Sequence, residues 1–138
     1  MLHTCSSVLV RCMDFRLTST INKWLEDNNL MDDCDIISVA GISKAIALDV
    51  NAEDAKYILS QIKLSHDLHE TKTLYLIHHT DCGAYGGHDA FADLETEKKT
   101  YLDHMTRAKE IINQQIPGLE VKFVLADITK QGINVKEL

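Results

Sequence analysis

Short apolar runs alternate along this chain with stretches of helical periodicity. "SSVLVRC" (6–12) is brief, apolar and β-branched, which suits a buried strand. "LTSTINKWLEDNN" (17–29) repeats Leu17, Ile21, Trp24 and Leu25 at helical spacing, and Asn28-Asn29 suits the helix end. "DIISVAG" (35–41) reads as a second buried strand, closed by Gly41. Asn51 is the expected N-cap of a helix running to about Glu70. Glu53 and Asp54 favour its positive end, and Ala55, Ile58, Leu59 and Ile62 form its stripe. "TLYLIHH" (73–79) is a third strand. After a glycine loop, a helix from about Leu94 to Gln115 carries Tyr101, Met105, Ala108 and Ile112 on one face, and Pro117-Gly118 stops it. "LEVKFVLAD" (119–127) makes a fourth strand, and "INVKEL" (133–138) follows a turn as an antiparallel edge strand.

Strands alternating with helices predict an α/β fold: three layers, with a mainly parallel central sheet of four strands plus an edge strand, flanked by helices. The 138 residues suit a single domain over the whole chain, long enough to bury about two thirds of its unfolded surface. In such sheets ligands sit beyond the carboxyl ends of the strands, where the strand order reverses. Cys12 falls at the end of the first strand and His79 at the end of the third. If those two strands are neighbours, their ends converge.

Composition narrows the partners. A net charge of −7 with no basic block argues against nucleic acid. No apolar run approaches the roughly 20 residues a bilayer span needs, so no membrane partner is expected. "MLHTCSSVLVRC" has no basic start followed by an apolar core and a cleavage site. Cysteines 5, 12, 34 and 82 are therefore expected to be reduced, catalytic or metal-bound in a cytoplasmic protein.

The candidate chemistry lies in "CMDFR" (12–16) and "HTDCG" (79–83). A thiolate and an imidazole two residues apart can grip one ion from a single turn. H-x-x-C alone equally suits an exposed histidine beside a buried cysteine, but Cys12 is carried to the same crevice by the fold. Cys12, His79 and Cys82 would suit one zinc ion per chain, and three protein donors leave a fourth tetrahedral position for water. Cys5 lies seven residues before Cys12, about 20 Å away along a strand at about 3.3 Å per residue. Cys34 begins the second strand, so both sit at the wrong end and are assigned to packing or surface. Asp14 could accept a hydrogen bond from the reacting water while paired to Arg16; released, it could fill the fourth position and shut the site. Arg16 holds it off the metal with a fork that lysine lacks.

C-x-D-x-R followed by H-x-x-C-G on an α/β chain resembles the β-class carbonic anhydrases, and the resemblance covers nearly the whole sequence. "SVAG" (38–41) and the closing "ADITKQGINVKEL" are weaker matches. The resemblance implies zinc on Cys12, His79 and Cys82, an Asp14–Arg16 dyad, and reversible hydration of carbon dioxide to bicarbonate and a proton by hydroxide on zinc. The backbone N–H of Gly83 could support a substrate oxygen. It also implies a homodimer or higher homo-oligomer, with each pocket partly walled by its neighbour. With Cys12 so near the start, this looks like a short member lacking the N-terminal helical arm. Phe15 stands where serine is common, Ser38-Val39 where a basic-polar pair is common, and His78 where glycine is usual.

Two other readings use the same residues. One is a zinc-binding non-catalytic homologue whose Asp14 caps the metal. The other hydrates a related heteroallene such as carbon disulfide, favoured if Phe15 and Val39 dry the pocket. His78 and His88 read as exposed loop histidines, His104 as part of a solvated helix face, and Trp24 as core. A thiol redox role lacks C-x-x-C.

Overall fold

The computed structural model describes residues 3–138. Its element order is β1 (Ser7–Arg11), α1 (Thr18–Asp27), β2 (Cys34–Ser38), α2 (Ile42–Leu48), α3 (Glu53–His69), β3 (Thr73–His79), α4 (Leu94–Gln115), β4 (Glu120–Thr129) and β5 (Gly132–Glu137). The five strands lie in the order β2-β1-β3-β4-β5. The first four run parallel, and β5 pairs antiparallel with β4. β1 and β3 are thus neighbours at the point where the strand order reverses, and the crevice between their carboxyl ends is where this topology places ligands.

The alternation of strand side chains builds two cores. Val8, Val10, Leu74 and Leu76 face one way and pack against α2, α3 and α4. Leu9 and Ile77 face the other way, with Val124 and Ala126, and pack against Leu17, Ile21 and Leu25 of the α1 region. Each buried Leu or Ile contributes roughly 1.5–3 kcal/mol by leaving water, so the two layers anchor the β1 and β3 ends firmly. Trp24 lies in the second core, edge-on to Tyr75 with ring centroids 5.0 Å apart.

Four expectations are corrected. β2 is a margin of the sheet, with Ile36 51% exposed, rather than a buried strand. Helix α2 was not expected, because no side chain caps its start. Gly41, at φ 53°, turns the chain into it, and Ile42 and Ile46 bury one side. The N-cap of α3 is Ala52 rather than Asn51, with no side-chain cap; Asn51 instead donates its N–H to the Asp49 carboxylate. His78 is a buried strand residue, not an exposed loop histidine.

Candidate metal centre

Everything that meets at the crevice comes from the two motifs. β1 ends at Arg11 and delivers Cys12; β3 ends at His79, and a tight bend brings Cys82 back beneath it. One donor atom from each of Cys12, His79 and Cys82 lies within 4.8 Å of the other two, and all three residues are buried. At metal–sulfur and metal–nitrogen distances of about 2.3 Å and 2.0 Å, one ion can touch all three. His79 Nδ1 donates to the Thr80 carbonyl at 2.8 Å, so the ring carries its proton there and Nε2 presents a lone pair. That Nε2 is buried with no hydrogen-bond partner among the described residues. Leaving such an atom unpaired costs about 1–3 kcal/mol; a cation bound by the two sulfurs would satisfy it. The donor set therefore fits a zinc-like ion.

The sulfurs already act as a pair. Cys12 is pushed well below the usual thiol range, chiefly by a hydrogen bond from Cys82, then by the approach of the His79 ring and by backbone groups of Gly41 and Asp14, against the opposing effect of burial. Cys82 is pushed up by the same contact and by burial.

Asp14 and Arg16 form the pocket's rim. Arg16 Nε and Nη2 donate to the Asp14 carboxylate at 3.0 and 2.7 Å, and the Arg16 backbone N–H donates to Asp14 Oδ1 at 2.9 Å. These contacts bring Asp14 down to about 2. Arg16 also donates to the Asp81 carboxylate and the Asp81 carbonyl, each at 2.9 Å. Its guanidinium therefore ties the first motif to the second. Asp14 Oδ2 sits 3.9 Å from His79 Nε2.

Residues 2–134 match the family described as "Putative carbonic anhydrase". The chain belongs to this carbonic anhydrase family. It is 30% identical over 123 residues to an uncharacterized protein of Rickettsia bellii, covering 87% of this chain and 75% of that one. A second uncharacterized protein, from Rickettsia conorii, is also 30% identical over 123 residues, covering 87% and 66%. In fold, the chain resembles the β-carbonic anhydrase CafA of the fungal pathogen Aspergillus fumigatus. The TM-score is 0.66, at 14% identity, over 99% of this chain and 76% of that one.

Several residues that support this carbonic-anhydrase-like crevice were not singled out in the sequence. Arg11 is buried and donates to the Cys12 and Asp14 carbonyls at 2.8 and 2.9 Å, shaping the first motif from behind. Thr80 donates to Asp127 at 3.1 Å and accepts the Ile128 N–H at 2.8 Å, fastening the second motif to β4. Glu97, 1% exposed in the first turns of α4, accepts the Asp81 N–H at 2.5 Å and the Tyr101 hydroxyl at 2.8 Å. It also pairs with His88 at 2.5 Å. Burial pushes Glu97 up, but His88, the Asp81 N–H and Tyr101 outweigh it and hold the carboxyl below its usual range. His88 in turn is raised by Glu97.

Glu97→Gln removes the charge from this clamp and is expected to cost about 1–3 kcal/mol, read as a lower denaturant midpoint. Because His88 is raised, its stabilising pairing is complete below its unfolded value and is lost as pH rises through the folded one. The wild-type advantage over Glu97→Gln should therefore be largest in mildly acid solution and shrink towards alkaline pH. An equal difference at every pH would show that the pair with His88 is not the source.

His78 stacks on Tyr101 with ring centroids 4.1 Å apart, and its Nδ1 accepts the His79 N–H at 2.9 Å. Burial lowers it to about 4, so it stays neutral and serves as packing. His104 does not stand on a solvated face: it is half-buried and hydrogen-bonded to Tyr85 at 2.7 Å. Phe15 is 85% exposed and Val39 packs against the core, so within this chain neither dries the pocket. Gly83 opens a short 3₁₀ turn, Gly83–Tyr85, and a side chain added there would meet nothing within 4 Å. At Gly41 an added Cβ would lie 2.5 Å from the Ala84 Cβ, so the turn before α2 and the Cys82 loop touch with no side chain between them. Cys5 and Cys34 lie at the opposite end of the sheet from Cys12.

Proposed function

We propose that this chain catalyses the reversible hydration of carbon dioxide to bicarbonate and a proton, with one zinc ion at this centre held by Cys12, His79 and Cys82. The observation that carries the reading is the buried, unpartnered Nε2 of His79 facing two paired sulfurs. Family membership and the resemblance to a β-carbonic anhydrase support it. When bound, zinc supplies the Lewis acidity that makes water nucleophilic near neutral pH. The remaining work belongs to the protein. A carboxylate lowered to about 2 does not collect a proton at working pH. Asp14 therefore acts as a fixed hydrogen-bond acceptor that orients the attacking water. Arg16, bonded on both sides, keeps Asp14 charged and in place. The Gly83 N–H, in the turn beside Cys82, supports a substrate oxygen.

The closed reading, in which Asp14 itself becomes a fourth ligand, draws on its 3.9 Å separation from His79. To close, Asp14 would have to leave Arg16. One assay separates the two: stopped-flow carbon dioxide hydration with a pH indicator on zinc-quantified protein, from about pH 7 to about pH 9. Two thiolates cancel the formal charge of the ion, so activity is expected to rise towards the alkaline side. Full zinc loading with no rate above buffer anywhere in that range would remove the catalytic reading.

We further take the working form to be a homodimer. The β2 margin is open, and Ile36, Leu64 and Leu68 are exposed near it, at 51%, 47% and 61%. Sedimentation equilibrium giving only monomer at micromolar concentration would end this part. A cytoplasmic site of action suits the four free cysteines. Among the described residues no helix is long and apolar enough to cross a membrane.

A further inference from the structure

The opposite end of the sheet holds a second convergence of donors. Cys5 comes just before β1, Asp35 is the second residue of strand β2 beside Val8, and His69 is the last residue of α3. One donor atom from each lies within 4.8 Å of the other two. The three elements are laced together there: the Cys5 N–H donates to the His69 carbonyl at 3.0 Å, and the Ser6 N–H donates to Asp33 at 3.0 Å. Asp35 Oδ2 accepts from Ser65 at 2.7 Å and pairs with His69 Nδ1 at 2.7 Å, contacts that aim the carboxylate and the ring.

These residues border a cavity of about 240 Å³ whose wall is almost entirely donor groups. His3, Cys5, Asp32, Cys34, Asp35 and His69 line it, and among the described residues no Lys or Arg does. His3 stands edge-on to His69 with ring centroids 4.8 Å apart. A mixed sulfur, nitrogen and oxygen set suits zinc rather than calcium or magnesium, which take oxygen.

We propose that Cys5, Asp35 and His69 form a second zinc site, remote from the Cys12 crevice, at the amino-terminal end of the parallel strands. It clasps the segment before β1 to β2 and to the end of α3. Occupying it releases the Cys5 proton, so affinity rises with pH.

The test counts metal in the full chain. Metal-stripped protein is reloaded with a small molar excess of zinc, desalted, and its zinc measured. Two equivalents per chain are expected for the wild type, and one for Cys5→Ser and for His69→Ala. Cys12→Ser should also hold one, because the two sites fill separately; a failure at the Cys12 crevice would thus leave the Cys5-dependent equivalent in place. A single equivalent in the wild type would overturn the proposal. So would a second equivalent that survives both Cys5→Ser and His69→Ala, or one that appears only at millimolar zinc, an adventitious ion only. Should the variants not fold, a cobalt titration of the wild type decides. The second equivalent must add thiolate-to-cobalt charge-transfer absorbance, weaker than the first because one sulfur replaces two; its absence refutes the site.

Discussion

Cys82→Ser is expected to lower the zinc content of the chain by one equivalent and to bring carbon dioxide hydration down to the buffer rate. The sulfur is fully buried and faces Cys12 and His79. A serine hydroxyl is a harder donor on a shorter bond, and it stays protonated where a thiol ionises beside a metal. Cys12 and His79 would remain as a two-donor site. Tetrahedral zinc sites are worth about 10–16 kcal/mol in small domains, so one of four donors accounts for roughly 2.5–4 kcal/mol, a loss of about 10²–10³-fold in affinity. The fold should survive, because the Cys82 backbone keeps its bonds to Tyr85, Gly87 and Tyr101. Zinc content is read by metal analysis beside a melting curve. A folded variant with undiminished zinc would refute Cys82 as a ligand.

Asp14→Asn separates metal binding from turnover. Zinc content should be unchanged, because Asp14 lies on the rim in the arrangement held by Arg16. Asparagine can still accept the Arg16 N–H through its carbonyl, so the 3₁₀ turn that follows, Phe15–Leu17, keeps its cap. The other end of the amide is then an NH₂, which donates where an acceptor is required and meets Arg16 without charge. Loss of a positioned acceptor of this kind lowers kcat by about 10²–10⁴-fold. Undiminished turnover at full zinc occupancy would mean that the aspartate and arginine serve only to brace the loop.

Much of this crevice is legible in the sequence because strand ends are legible. Apolar β-branched runs mark β1 and β3, and a parallel sheet carries whatever follows them to one side. Cys12, Asp14 and His79 are therefore placed by local pattern plus one topological rule. The supports are not legible in this way. Glu97 looks like any acid in the first turn of an exposed helix, and only the packing of α4 across the Cys82 loop buries it. His78 follows an apolar run and precedes a glycine loop, so sequence alone suits either burial or exposure; the α4 ring of Tyr101 decides. Helix α2 lacks a capping side chain, and its start depends on a left-handed glycine. Cys5 and Cys34 are correctly read as too far from Cys12. That Asp35 and His69 join Cys5 depends on where a 17-residue helix ends in space, which periodicity does not reveal.

Gly41 is, in effect, a shim one hydrogen atom thick. Its backbone lies against the Cys12 sulfur on one side, and its Cα against the Ala84 methyl on the other. The gap between the two halves of the crevice is therefore set by the smallest substituent carbon can bear. Any thicker residue at 41 would move the Cys82 loop outward and draw its own backbone away from Cys12 at the same time. Trimming Ala84 to glycine would recover the spacing but not the left-handed twist, so no single change at 84 frees position 41 to take a side chain.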